Sequence, residues 1–361
     1  MASDSPTKLS YHVAASFNGK DRTYDPSRHI FHFNPYNRIQ KSGNKRSRPD
    51  SGHDAFFVSR VGDSGAVALG VADGVGGWVD SGVDPADFSH GFCDYMASTA
   101  HGHGSIKNDP STKGTGATDH LRAQALMQTG YQAICEDETV LAGGSTACVA
   151  VASADGNLDV ANLGDSGFIQ LRLNAVHTCS EPQTHAFNTP YQLSIVPPSV
   201  AARMAAFGGA NLCDFPADAD VTQHDLRHGD IVVFATDGVW DNLFNQDILR
   251  IVSRVMTSTG AWLNSRNGVR VVDNLKPFTQ PSGEVVEGSK TTVWTLQSVL
   301  AVEITAAAKS ASMNRKMDGP FAKGVQKYYP NENWHGGKID DICVVVMIAS
   351  DDSKIPVKSR L

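Results

Sequence analysis

Three apolar runs in this chain meet an acidic turn, and that recurrence constrains the fold more than any other feature. Leu69-Gly-Val-Ala leads into Asp73-Gly74. Val232-Val-Phe-Ala leads through Thr236 into Asp237-Gly238. Asp340-Asp341 opens the run Ile342 to Ile348. A carboxylate at a strand end is held rigidly yet points into a cleft, which suits a hard cation. Aspartate oxygens, backbone carbonyls and water are the ligands that Mg²⁺ and Mn²⁺ prefer. A single Asp-Gly is an ordinary tight turn, so the signal lies in its return at three strand ends. Gly74, Gly76, Gly77, Gly238, Gly336 and Gly337 flank these turns, where the lack of a side chain lets backbone approach an ion.

The remaining pattern is strands, helices, strands, helices, strand. Ala55 to Arg60 and Ala66 to Ala72 form a hairpin around Gly62-Asp63-Ser64-Gly65. Helices are predicted over Pro85 to Ala100, over Asp119 to Glu138 with Asp119 as cap, over Gln246 to Thr257 and over Thr291 to Met313. Strands are predicted over Ser145 to Ser153, Leu158 to Leu163, Phe168 to Leu173, Ile231 to Thr236 and Ile342 to Ala349. Without regular βαβ alternation, this order favours an antiparallel α/β layered domain from about residue 51 to 350. Residues 1–50 then form a partly irregular N-terminal extension and 351–361 a tail, with insertions near 101–118 and 258–290. Those insertions are either places for substrate choice or partner docking, since long loops beside a rigid site often carry specificity, or disordered segments.

Composition removes several functions. With 38 acidic against 31 basic side chains the net charge is −7, a poor match for nucleic acid or an anionic membrane. No run approaches the roughly 18 apolar residues of a spanning helix. None of the six cysteines forms a CxxC pair, and none is followed by an arginine six positions later. That disfavours zinc ribbons, thioredoxin-like sites and cysteine-based phosphatases, and it points to a reducing compartment. No apolar stretch of a secretory signal follows Met1. Gly164-Asp165-Ser166-Gly167 and Thr99-Ala-His101 imitate pieces of a serine protease, but a triad is defined by geometry and roles. Asp165 reads more simply as a turn residue between strands. Trp78, Trp240 and Trp334 neighbour the acidic turns and read as packing.

Six motifs in order resemble the metal-dependent type 2C serine/threonine protein phosphatases. They are Asp54-Ala-Phe-Phe, Ala72-Asp73-Gly74-Val-Gly-Gly77, Gly144-Ser145-Thr146-Ala147, Leu163-Gly-Asp165-Ser166, Ala235-Thr-Asp237-Gly238 and Asp340-Asp341-Ile342. Gly74 through Asp84-Pro and Phe187 through Leu193 resemble a branch whose eukaryotic members are largely mitochondrial or plastid. The resemblance implies an α+β fold, a four-layer α-β-β-α sandwich of two packed antiparallel sheets flanked by helices. It implies two Mg²⁺ or Mn²⁺ ions held by Asp73, Gly74, Asp237, Asp340 and Asp341, with Asp54 and Asp73 in catalysis, to which His53 is added as a catalytic candidate, and with Arg48 either on the substrate phosphate or in a solvated basic loop. A metal-activated water attacks phosphorus, with no covalent phosphoenzyme. Phosphoprotein substrates, coenzyme Q biosynthesis factors among them, and the mitochondrial matrix are implied by the branch, with a cytoplasmic location as the alternative.

Three positions depart from the family pattern. His53 replaces an acid that serves the second metal through water, Val75 replaces a histidine that serves as general acid, and Leu141 stands where many members carry an aspartate tied to a third metal. Either His53 or His185 is then a candidate proton donor, since histidine titrates near neutral pH, and an ordinary satisfied histidine is the competing reading for both. The same departures support a rival function: a catalytically weak member that binds phosphoproteins as a regulator or scaffold.

Overall fold

The computed structural model describes residues 8–33, 48–104, 120–206, 213–281 and 294–351. Eleven strands build two antiparallel sheets. In chain order they are β1 (Leu9–Asn18), β2 (Ile30–His32), β3 (Asp54–Arg60), β4 (Val67–Asp73), β5 (Ala147–Ala152) and β6 (Asn157–Leu163). They continue with β7 (Gly167–Arg172), β8 (Ala175–Cys179), β9 (Asp220–Asp225), β10 (Ile231–Ala235) and β11 (Ile342–Asp351). One sheet runs β2-β1-β11-β10-β7-β8 and the other β9-β6-β5-β4-β3.

Residue size along each strand sorts the layers. On β4, Val67, Leu69 and Val71 face the other sheet, while Ala68 and Ala72 face helices α1 (Pro85–Gly102) and α2 (Ala123–Glu136). On β11, Cys343, Val345 and Met347 face the other sheet, whereas Ile342, Val344, Val346 and Ile348 meet helices α3 (Asn245–Ser258) and α4 (Leu296–Ser312). Both faces of each sheet are therefore covered, which makes the central strands read as unbroken apolar runs rather than alternating ones. The result is the four-layer α-β-β-α sandwich. A face of Phe88, Phe92, Met96 and Ala100 at helical spacing docks α1. Its start is capped by the Asp84 carboxylate, which accepts from the Ala86 amide at 3.1 Å, with Pro85 in the first turn.

Three boundaries differ from the sequence expectation. Residues 9–18, expected in an irregular extension, form a ten-residue strand paired along its whole length with Ile342–Asp351. Its pattern of Val13, Ala14, Ala15, Ser16 and Phe17 hides because small and apolar residues fill both faces. The cap of α2 is not Asp119, which lies outside the described residues. Asp159 of β6 accepts from the Ala123 amide at 2.8 Å instead, a tertiary cap invisible in local sequence. The expected insertion at 258–290 contains a hairpin, Trp262–Ser265 with Gly268–Val271, and the short helix Lys276–Thr279. Trp262 is buried against the α3 and α4 layer. Residues 282–290, and 105–118 of the other insertion, lie outside the described residues.

Ala14 is fully buried in mid-strand, opposite Val346. Ala14→Asp should cost more than about 3 kcal/mol, the scale for burying an unpaired charge. Denaturant unfolding checks it, and a change under about 0.5 kcal/mol would return residues 9–18 to an extension.

Candidate metal centre

Asp54 and Asp73 stand directly opposite each other across the β3–β4 pair. Opposed residues on antiparallel strands share a face, and like charges there repel. Burial raises both carboxyls well above the usual range. Asp341, Asp237 and Asp340 push Asp54 further, and Asp237, Asp54 and Asp340 do the same to Asp73. A fold that keeps such a pair in place must supply a proton or a cation.

The other sheet brings its carboxylates to the same end of the sandwich. Asp237 follows β10 and Asp340 precedes β11, its antiparallel neighbour. The Thr236 hydroxyl donates to Asp54 Oδ2 at 2.6 Å and accepts from the Cys343 amide at 3.0 Å, so one side chain ties β10, β11 and β3 together. A side chain at Gly238 would run into the Asp341 carbonyl, which explains the glycine of that turn. Asp73 is fixed through its backbone. Its carbonyl accepts from the Ser145 hydroxyl at 2.8 Å and the Thr146 amide at 3.0 Å, and its amide donates to Thr146 Oγ1 at 3.2 Å. Thr146 Oγ1 also meets Ser166 Oγ at 2.8 Å. The Gly144-Ser145-Thr146 and Asp165-Ser166 motifs thus form a cradle for Asp73.

A lysine sits among the acids. Lys338 Nζ lies 2.6 Å from Asp237 Oδ2, 2.6 Å from Asp241 Oδ2 and 2.9 Å from Asp340 Oδ2. Burial alone would depress its ammonium, but Asp237, Asp241 and Asp340 more than offset this and hold it above the ordinary value. Asp241 and Asp340 are raised, by burial first and by Asp237 second. Asp165 is pushed up to about 7 by burial and by Asp237, and its Oδ1 is buried with no hydrogen-bond partner. Among the described residues no three Asp, Glu, His or Cys side chains close into a finished metal cage; the carboxylates close on the ammonium.

Sequence reasoning missed Asp165, Asp241 and Lys338. The Asp-Gly-Val-Trp-Asp spacing of residues 237–241 was available as a clue, because one helical turn returns Asp241 to the side of Asp237. The clue for Asp165 was its place in an ordered motif. Asp165 lies between β6 and β7, as a turn residue would, and in addition feels the charges of Asp237 and Asp340. Leu141 is 76% exposed.

Other expected site residues have different tasks. Both Asp341 oxygens are taken by backbone amides, Oδ1 by Lys20 at 2.7 Å and Oδ2 by His53 at 2.9 Å. Asp341, expected as an ion ligand, anchors Lys20 through one of its oxygens and the Gly52-His53 turn through the other. The His53 carbonyl accepts from the Gly74 amide at 3.2 Å and the Ser89 hydroxyl at 2.6 Å, and its ring Nδ1 is 3.8 Å from Asp341. His185 lies 3.0 Å from Asp214 and stacks on Tyr191. Arg48, expected on the substrate phosphate, instead pairs with Asp87 at 2.8 Å and Asp84 at 3.6 Å and braces the start of α1.

The donor set fits hard divalent ions. It is all oxygen, the carboxyls of Asp54, Asp73 and Asp165 are raised by burial first and by neighbouring carboxylates second, and one buried Asp165 oxygen lacks a partner. Comparison with known proteins agrees with this chemistry. Residues 44–276 match the family model described as protein phosphatase 2C. The 5-azacytidine resistance protein azr1 of Schizosaccharomyces pombe is 31% identical over 83% of this chain and 82% of its own length. Protein phosphatase 2C homolog 7, mitochondrial, of Saccharomyces cerevisiae is 31% identical over 83% of this chain and 75% of its own. Among solved structures, the photosystem II phosphatase PBCP superposes with a TM-score of 0.58 at 21% identity, covering 94% of this chain and 98% of that one.

Two predictions follow from the geometry. Thr236→Val removes a bond to a buried carboxylate and should destabilise the protein by about 1–3 kcal/mol in denaturant unfolding; a loss below about 0.5 kcal/mol would mean the sheets need no such tie. His90, buried on α1, is lowered to about 4 by burial and then by Arg48. Its unfolded form binds more protons between about pH 6.5 and 4, so stability rises with pH there and is lost as pH falls through that window. His90→Gln should flatten this limb by up to about 3 kcal/mol, and an unchanged limb would contradict the assignment.

Proposed function

The chain belongs to the protein phosphatase 2C family and is a metal-dependent protein serine/threonine phosphatase, and on that premise we propose that Asp73, Asp237, Asp340 and the Gly74 carbonyl hold its ions. The observation that carries this assignment is the convergence of Asp54 and Asp73 from one sheet with Asp237 and Asp340 from the other on one end of the sandwich. Mg²⁺ or Mn²⁺ suits the all-oxygen set. Bound there, divalent ions supply a water that ionises near neutral pH and offset charge on the phosphoryl oxygens.

The chain's own residues do the rest. Asp73, pinned through its backbone by Ser145 and Thr146, projects between the sheets and is placed to be shared by two ions. Asp54, held by Thr236, keeps a second buried carboxylate facing it. His53 is the better placed proton donor for the leaving alkoxide, because its backbone is locked to Gly74 and Asp341, whereas His185 is tied to Asp214. The cleft beside Asp165, about 470 Å³ and lined by Phe168, Trp240 and Phe244, offers an apolar wall to residues flanking the phosphoamino acid.

The substrates are phosphoproteins. A mitochondrial location is supported by the mitochondrial designation of the yeast relative, and coenzyme Q biosynthesis factors are the substrate candidates that the branch resemblance suggests. The domain is proposed to run from β1 through β11, so that the N-terminal strand is part of the catalytic unit. Among the described residues no helix is long and apolar enough to cross a membrane.

Phosphate release from a phosphothreonine peptide should require Mg²⁺ or Mn²⁺, stop with chelator, and fall by about 100-fold or more in Asp73→Asn, the scale of losing a key electrostatic group. No turnover of the wild-type protein at any concentration of either ion would favour the scaffold reading. His53→Ala should slow the phosphothreonine peptide while sparing p-nitrophenyl phosphate, whose leaving group needs no proton. Equal effects on both substrates would remove His53 from that role.

A further inference from the structure

Lys338 is not a loose surface charge. Its amide donates to Asn242 Oδ1 at 3.0 Å, and Asn242 Nδ2 returns a bond to the Lys338 carbonyl at 2.9 Å. The same Nδ2 binds the Gly238 carbonyl at 2.9 Å, which locks Lys338 to the turn that carries Asp237 and Asp241. Its Nζ also lies 5.1 Å from the centroid of the Phe321 ring, and the side chain is only 17% exposed. Backbone clamp, aromatic lid and three carboxylates therefore converge on one ammonium. Each of the three acids gives it only Oδ2.

We propose that Lys338 is a built-in cation that fills one cation position of the centre, so that Asp73, Asp165, Asp237, Asp241 and Asp340 together take two divalent ions rather than three. The inference rests on the metal-centre reading above. A divalent ion seated about 2.1 Å from those same oxygens would overlap Nζ, which stands 2.6–2.9 Å from them; ammonium and ion exclude each other there. Asp165 marks the consequence. It lies in the field of Lys338 and Asp237, yet its buried Oδ1 has no partner, as expected of a carboxylate beside an ammonium that does not reach it. With the lysine charge removed, Asp165, Asp237 and Asp241 are left as an uncompensated set that an additional ion satisfies.

Mn²⁺ stoichiometry on the full chain, read by electron paramagnetic resonance of free ion at equilibrium, tests this without using activity. Wild type and Lys338→Arg should each bind two ions, and Lys338→Met should bind three. Adding Asp241→Asn to Lys338→Met should return the count to two. Should the Met variant fail to fold by circular dichroism, Lys338→Gln, which keeps hydrogen bonding without charge, is expected to bind three. A count of two in a folded, charge-free variant, or of three in wild type, overturns the role of Lys338 and leaves the metal centre standing. A wild-type count of zero overturns the metal centre itself.

Discussion

Asp54 and Asp73 repel each other across a shared pair of strands, and the molecule is built so that neither can move away. Asp73 is held by its own backbone, and Asp54 is held from the opposite sheet by Thr236. Asp237 and Asp340 arrive at the same end because β10 and β11 are antiparallel neighbours. The sandwich pushes negative charge into one place and leaves it in a poorly solvated cleft. Such an arrangement is costly for stability alone. It becomes favourable once cations enter, which is why local rules of sheet design fail here and hold elsewhere in the chain.

Much of the layer order was legible in the sequence. The hairpin of β3 and β4, the apolar runs of β10 and β11, and the face of Phe88, Phe92 and Met96 all appear where their patterns put them. The first strand did not show itself. Its residues are small and interspersed with serine and histidine, and its pairing partner lies more than 300 residues away, so only tertiary contact reveals it. The α2 cap failed for a related reason: a local rule nominated Asp119, while the capping carboxylate came from Asp159 in another layer.

At the site, sequence motifs located Asp54, Asp73, Asp237 and Asp340 but not what surrounds them. Asp165 sits in a motif that doubles as a turn, and nothing local distinguishes a turn aspartate from one that faces three others. Lys338 is hidden by convention, because a lysine among glycines reads as a solvated loop residue. Asp341 has a further task that its motif does not show. Its neighbour Asp340 faces the centre, but alternation at the start of β11 turns Asp341 toward Lys20 and His53, where it stitches the N-terminal segment to the site.

Anomalous diffraction at the manganese edge, from crystals of the wild-type chain grown with Mn²⁺, tests the central claim most directly. The account predicts two peaks in the cleft, both within coordination distance of Asp73 and one of them also touching Asp237 and Asp340, with Lys338 still seated on Asp237, Asp241 and Asp340. Peaks confined to exposed acids such as Asp63, with none between the two sheets, would contradict it.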